Sequence, residues 1–419
     1  MNRRPHANMR TLRLILVVAA LCLLRPSPAR AADPVDDLKK WLAAPAGARP
    51  AIDKQPFAAA PLTKAQAAEA RTLLWDDHVA RVKATREQEW KEGKLEASGK
   101  TMKLLRRQFG TKPAGGWNLY ISLHGGGGAP PQVNDQQWQN QIRLYQPKDS
   151  LYVAPRAPTD NWNLWHEPHV DDLLDRLIED AVIFGGVNPD RVYVMGYSAG
   201  GDGVYQLAPR MADRWAAAAM MAGHPNDASP LGLRNLPFTG HVGALDAAFK
   251  RNEVLPKWGE QLDALQKADP KGYIHEIQVH PGRAHWMNLE DAVAVDWMAK
   301  FTRDTAPERV VWKQSGVTHE RFYWLAVPAG QAKAGSLVVA SRDGQKVSIE
   351  KAEGVARLTV MLSDALVDLD KPVAVFVNGR AAFKGAVART IRSLHDTLAG
   401  RGDQRSVFDG AVTVDVAAP

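Results

Sequence analysis

The sequence predicts an α/β protein: a mostly parallel sheet flanked by helices, with an N-terminal helical arm and a small C-terminal β-rich domain. Three observations carry this. Between about residues 100 and 304, short apolar runs alternate with longer stretches of helical periodicity, the pattern of a parallel sheet covered by helices. Several of those runs, such as WNLYISL and AAAAMM, are apolar at consecutive positions, as strands buried on both faces are. After Pro307 the helical stretches give way to strand-like runs separated by turn signals such as RDG and NG.

The N-terminus reads as an export signal. MNRRPHANMR is basic, LILVVAALCLL is apolar over eleven residues, and Ala29-Arg30-Ala31 is a small-x-small site. A span needs about 20 apolar residues, so residues 1–31 are expected to be removed after Ala31, giving a secreted or periplasmic protein without stable membrane insertion. Six arginines and no acid lie in that segment. Its loss leaves 47 basic against 46 acidic residues, a charge of +1 where the whole sequence has +7. A near-neutral mature chain gives no reason to expect nucleic acid. The only cysteine, Cys22, leaves too, so neither a disulfide nor a cysteine nucleophile is available.

Residues 32–99 read as the arm. DPVDDLKKWLA is a short helix. Thr63 and Gln66 have capping-box spacing, and Ala67, Ala70, Leu74, Val79 and Val82 follow at helical intervals, with KATREQEWKEGK completing the helix. In residues 100–304 the expected strands are WNLYISLHG, LYVAPRA, VYVMGYS, AAAAMMAG, FTGHVGALD and YIHEIQVH. The expected helices are VDDLLDRLIEDAVIFGG, GGDGVYQLAPRMADRW, LPKWGEQLDALQKAD and LEDAVAVDWMAKFTRD. Ligands of such sheets bind at the carboxyl ends of the strands. Residues 307–419 form the β-rich domain, interrupted by one helix, TIRSLHDTLAG. Its consecutive aromatics Phe322, Tyr323 and Trp324 must point to both faces of a strand, one of which is normally core. They are therefore expected to dock on the larger domain.

The chemistry centres on GYSAGGD, residues 196–202. It follows the strand VYVM and opens a helix, the context in which G-x-S-x-G forms a strained turn that lifts the serine hydroxyl clear. Ser198 is thus the candidate nucleophile. LHGGGG, residues 123–128, ends an earlier strand, and its glycines offer backbone N–H groups to a developing oxyanion. Gly126, Gly127 and Ala199, the residue after the nucleophile, are the expected donors. A phosphate loop would need a Lys-Ser/Thr ending, which is missing. Asp246 after FTGHVGAL and His285 in PGRAHWM complete the order Ser198, Asp246, His285 that this strand–turn–helix architecture uses. Asp227 competes for the acid, and His275 and His280 for the base. His285 would take the serine proton and return it to the leaving group, and Asp246 would hold the imidazole's tautomer.

These residues resemble the α/β-hydrolase superfamily, in particular the secreted esterase branch related to poly(3-hydroxybutyrate) depolymerases and feruloyl esterases, with prolyl oligopeptidase-like hydrolases as cousins. The resemblance covers about residues 103–304. It implies a serine hydrolase that cleaves carboxylic esters through an acyl-enzyme, without cofactor or metal. The alternatives are a serine peptidase of the prolyl oligopeptidase type and a polymer-binding protein on a hydrolase scaffold.

Around the expected site, His124, Trp162, Trp165, His166 and Tyr197 are candidate substrate contacts. HEPH, His166 to His169, has metal-like composition, but Pro168 interrupts it and no second cluster converges on it. Asp202, early in the helix after Ser198, suits the helix dipole, and His224 ends another strand. Only about a dozen residues separate His224 from Phe238, too few for a helical lid. The cleft is therefore expected to be open to a small-molecule or polymeric ester. The sequence is silent on oligomeric state.

Overall fold

The computed structural model describes Met1 and residues 33–416. The export-signal expectation falls on a segment outside the described residues. α1 (Pro34–Ala43) starts behind Asp33, whose carboxylate accepts the Val35 N–H at 2.9 Å. α2 (Pro56–Ala59) is a single turn, and α3 (Lys64–Glu92) opens with the expected capping box: Thr63 Oγ1 accepts the Gln66 N–H at 3.2 Å and Gln66 Oε1 accepts the Thr63 N–H at 3.0 Å.

β1 (Lys94–Ala97) and β2 (Lys100–Phe109) then form a hairpin through Ser98 and Gly99, both at positive φ, 50° and 68°. The expected boundary at residue 100 falls inside this hairpin, and both strands belong to the main sheet. They are its edge. Their run of lysines and arginines protects an unpaired edge and hides the strands from a search for apolar runs.

The six expected apolar runs are β3 (Trp117–Leu123), β4 (Ser150–Pro155), β5 (Val187–Tyr197), β6 (Ala217–Met221), β7 (Phe238–Gly243) and β8 (His275–His280). The helices around them are α4 (Pro131–Gln141), α5 (Pro168–Ile183), α6 (Ala199–Arg210), α7 (Arg251–Ala268) and α8 (Val293–Met298). The sheet order is β1-β2-β4-β3-β5-β6-β7-β8, parallel from β4 to β8 and antiparallel at β1 and β2. Along β3, Leu119, Ile121 and Leu123 enter one core layer and Tyr120 enters the other, the period of two expected of a strand buried on both faces. β3 lies between β4 and β5, so the chain departs from it in opposite directions. The crevice beyond its carboxyl end is the switch point where open α/β sheets bind ligands.

The C-terminal region holds β9 (Arg309–Lys313), β10 (Arg321–Phe322), β11 (Leu325–Ala326), β12 (Leu337–Asp343), β13 (Lys346–Glu353), β14 (Arg357–Leu362), β15 (Val373–Val377), β16 (Arg380–Gly385), α9 (Ile391–Ala399) and β17 (Gly410–Asp415). They form two sheets, β10-β11-β14-β17 and β16-β15-β13-β12-β9. RFYWLAV is not one strand: Tyr323, at φ 52°, splits it into β10 and β11. The three aromatics are buried, and Tyr323 donates its hydroxyl to the Ala212 carbonyl at 3.1 Å, just past α6.

Two further contacts join the regions. Leu38, Ala70 and Leu74 of the arm share one apolar cluster with Ile391, Leu394 and Leu398 of α9. Beneath α5 and α6, Arg303 donates to Asp403 at 2.7 Å and to Asp190 at 2.9 Å, while Arg214 donates to Asp175 at 2.5 Å.

Candidate active site

The turn after β5 places Ser198 at φ 58° and ψ −122°, a backbone conformation that L-residues adopt only under constraint. The constraint is packing. A Cβ on Gly196 would meet the Gly200 carbonyl, and one on Gly200 would meet the Leu123 carbonyl of β3. Glycine at both positions therefore lets β3, the turn and α6 close on one another, which fixes the serine between strand and helix. The Ser198 N–H donates to the Met221 carbonyl of β6 at 2.9 Å, tying the turn to the neighbouring strand.

His285 and Asp246 arrive on loops after β8 and β7. His285 Nε2 lies 2.9 Å from Ser198 Oγ, and His285 Nδ1 lies 2.8 Å from Asp246 Oδ2. Asp246 is 2% exposed, whereas the imidazole is half-exposed. With Nδ1–H directed at the carboxylate, Nε2 is free to accept the serine proton. Tyr197 holds the histidine loop: its hydroxyl donates to the His285 carbonyl at 2.6 Å and accepts the Met287 N–H at 3.0 Å. Its ring also borders the cleft.

The competing groups lie elsewhere. Asp227 Oδ1 accepts from Gln206 Nε2 at 2.9 Å. His275 bonds the Tyr273 carbonyl at 2.8 Å, and His280 Nε2 lies 3.1 Å from His241 Nδ1.

The glycine loop differs from expectation in detail. Gly127 donates its N–H to Asn134 Oδ1 at 2.9 Å, so that donor is taken. Gly126 and Ala199 line the cleft together with Ser198. His124 is fully buried and borders no part of the cleft. Its Nε2 accepts the Ala157 N–H at 3.0 Å, so the ring proton sits on Nδ1 and is donated to the Gly125 carbonyl at 2.6 Å. That carbonyl belongs to the peptide whose other side carries the Gly126 N–H, and a planar trans peptide points the two in opposite directions. His124 thus fixes the Gly125–Gly126 peptide and lies away from the cleft. Burial pushes its pKa down to about 4, so it stays neutral as this bonding requires.

Trp165 is also buried, donating Nε1–H to the His124 carbonyl at 2.9 Å; it is core, because the loop after β4 turns it inward. Trp162 is 65% exposed and does border the cleft. His166 lies farther out, half-buried, with its pKa lowered to about 4 by burial and then by Arg210. Asp202 Oδ1 accepts the His224 N–H at 2.6 Å.

Ser198 sits where two compartments meet. One, of about 530 Å³, is lined by Gln137, Leu144, Tyr197, His285 and Trp286 among others. The second, of about 410 Å³, includes Trp162, Asp202, His224, Asn226, Phe249 and Arg251. Trp286, Phe249, Arg251 and Asn134 escaped the sequence reading. Trp286 adjoins His285 in the chain and carried a signal; the others are ordinary loop and helix residues that only the fold brings near.

No protein-family model matches the sequence, and no curated protein does. Solved structures match over about half the chain. A thermostable esterase is 16% identical at TM-score 0.38, over 50% of this chain and 62% of that one. Est1E from Butyrivibrio proteoclasticus is 14% identical at TM-score 0.31, over 49% of this chain and 95% of that one. Thermogutta terrifontis esterase 2 is 15% identical at TM-score 0.34, over 49% and 89%. The sheet order, the turn at Ser198 and the chain order Ser198, Asp246, His285 are those of the α/β-hydrolase architecture.

Proposed function

We propose that this protein is a serine hydrolase of carboxylic esters that works without cofactor or metal. The observation that supports this most is the unbroken chain Ser198 Oγ–His285–Asp246, at 2.9 and 2.8 Å, with the serine on a strained turn. Ser198 Oγ attacks the ester carbon as His285 Nε2 takes its proton. The Gly126 and Ala199 N–H groups receive the charge that grows on the carbonyl oxygen. The tetrahedral species collapses, the bond to the alcohol oxygen breaks, and His285 gives that oxygen its proton. Water, deprotonated by His285, then releases the acid and frees Ser198. Asp246 stabilises the imidazolium in both halves.

A panel of chromogenic esters and peptide anilides tests this reading. Ester turnover that disappears in Ser198→Ala supports it; cleavage of anilides in preference to esters would replace it with the peptidase reading. We also propose that the enzyme works outside the cytoplasm, after cleavage behind Ala31. N-terminal sequencing of the exported protein checks that, and a mature chain still beginning at Met1 would refute it.

A further inference from the structure

The two compartments at Ser198 differ in a way that orients the substrate. His285 borders only the first. Its imidazolium must hand a proton to the departing oxygen, so the alcohol half lies on that side. The acid half then extends into the second compartment. Beyond it lies a third, of about 370 Å³, which shares Trp162 and Asn226 with the second and is bounded by Gln206, Asp227, Gly316 and Val317. Gly316 and Val317 belong to the loop between β9 and β10, outside the parallel sheet. That loop is pinned from both sides. Gln314 exchanges hydrogen bonds with the His319 backbone, at 2.6 and 3.0 Å. His319 Nε2 lies 2.8 Å from Asp171 Oδ2, a carboxylate that Arg210 of α6 also engages.

The polar groups on the acid side have capacity to spare. His224 Nδ1 accepts the Asn226 N–H at 3.0 Å, so its proton sits on Nε2. Gln206 Nε2 donates to Asp227 Oδ1 at 2.9 Å, leaving Gln206 Oε1 and Asp227 Oδ2 as acceptors. Arg251 lines the second compartment, 8% exposed, with Nη1 directed at the Ala248 carbonyl at 3.5 Å and its guanidinium 3.9 Å from Asp246. Trp162 presents an exposed indole, set edge-to-face on His166 at 5.5 Å. Interleaved donors and acceptors beside a flat aromatic face suit a ring of hydroxyls; a fatty acid would leave them unpaired on binding. The alcohol side carries more apolar surface. Leu144, Tyr197 and Trp286 border it, Gln137 and Arg143 are its free polar side chains among the described residues, and Asn140 Oδ1 and Gln141 Nε2 are already bonded to Gln136 and Ser122, at 2.9 and 2.7 Å.

We propose that the acid half of the substrate is extended and hydroxyl-rich, of the sugar-acid class, that the alcohol half is apolar or aromatic, and that the β9–β10 loop forms the far end of the acid subsite. This rests on the serine-hydrolase reading. Three esters separate the two claims: phenyl acetate, benzyl glucuronate, and a benzoate ester of glucose, in which the polarity of the halves is reversed. Phenyl acetate turnover and labelling of Ser198 by a fluorophosphonate read the hydrolase itself, and the loss of both sinks that reading. With either intact, kcat/KM for benzyl glucuronate is expected to exceed that for the glucose benzoate by about tenfold or more. An equal or reversed preference, or inertness toward both, overturns the orientation. For the loop, the benzyl ester of a glucuronate bearing one further sugar is compared with benzyl glucuronate. Val317→Trp fills the third compartment and is expected to lower the ratio of their kcat/KM values about tenfold, with phenyl acetate turnover reading the fold of the variant. A ratio unmoved by Val317→Trp removes the loop from the acid subsite.

Discussion

The carboxyl ends of β5, β7 and β8 and the junction beneath α5 and α6 both gather charged and polar side chains, and they use them in opposite ways. At the strand ends, Asp246 is buried behind a half-exposed His285 that meets Ser198 in an open cleft. On the proposed mechanism the group that changes protonation faces the cleft. At the junction, Asp403 is enclosed between Arg303 and Arg214, all three buried. Burial alone would raise the Asp403 carboxyl, but Arg303 and then Arg214 outweigh it and hold it well below the usual carboxylate range. No proton is exchanged there. On the proposed mechanism one charge cluster cycles and the other stays ionised, and only the first lies where the sheet leaves a crevice.

Neutralising the two aspartates therefore has different expected consequences. Asp246→Asn is expected to lower kcat by about 10⁴ through loss of the correct histidine tautomer, with a melting temperature near that of the parent. Steady-state kinetics beside a thermal melt check this; loss of fold in place of rate would make Asp246 structural. Asp403→Asn should do the reverse. Two buried guanidinium groups each lose one of their two carboxylate partners, at a cost of about 3–5 kcal/mol, while the protein that remains folded still reacts with a fluorophosphonate.

The sign of the pH effect follows from the depressed carboxyl. Its contribution is present above the unfolded pKa near ~3.9 and is lost as pH falls toward the folded value. Denaturant titrations at falling pH should therefore show the parent losing stability below about pH 4 more steeply than Asp403→Asn. Parallel curves would contradict the assignment.

His124 lies between the two cases, since it is buried yet serves the site. His124→Phe removes the bond to the Gly125 carbonyl and frees that peptide to turn. A fall in kcat of about 10²-fold is expected, with little change in KM. A change confined to KM would place His124 in substrate binding after all. The smallest effect concerns Asp180, on α5. Burial, opposed by Arg86 and Arg176, pushes its carboxyl up to about 7. From about pH 4 to 7 the folded protein binds the extra proton, so its stability falls as pH rises. Asp180→Asn should gain on the order of 1 kcal/mol at pH 8 and much less at pH 5, as read by urea unfolding at both values.

The convergence of Ser198, Asp246 and His285 was legible in the sequence because a strand–G-x-S-x-G–helix motif constrains the backbone and the strand order fixes which loops follow. The inner parallel strands were legible because burial on both faces leaves unbroken apolar runs, whereas the edge strand β8, HEIQVH, is only partly buried. What stayed hidden depends on contacts across the chain or on which way a loop side chain turns. Trp162 and Trp165 are three residues apart, yet one lies at the cleft and the other in the core. His124 and Gly127 sit in the motif but are occupied by Ala157, Gly125 and Asn134. The β1–β2 edge is too charged to read as strand, and the positive φ of Tyr323 has no local signature in RFYWLAV. The core shared by the arm and α9 joins segments more than 300 residues apart, as the Arg71–Val407 hydrogen bond does at a separation of 336, and no periodicity records such a pairing.

The most direct measurement is intact-protein and peptide mass spectrometry after treatment with a fluorophosphonate. One adduct per chain, on the peptide containing Ser198, is expected in the parent and none in Ser198→Ala, with His285→Ala labelled far more slowly. Equal labelling of the parent and Ser198→Ala, or an adduct on another residue, would contradict Ser198 as the nucleophile.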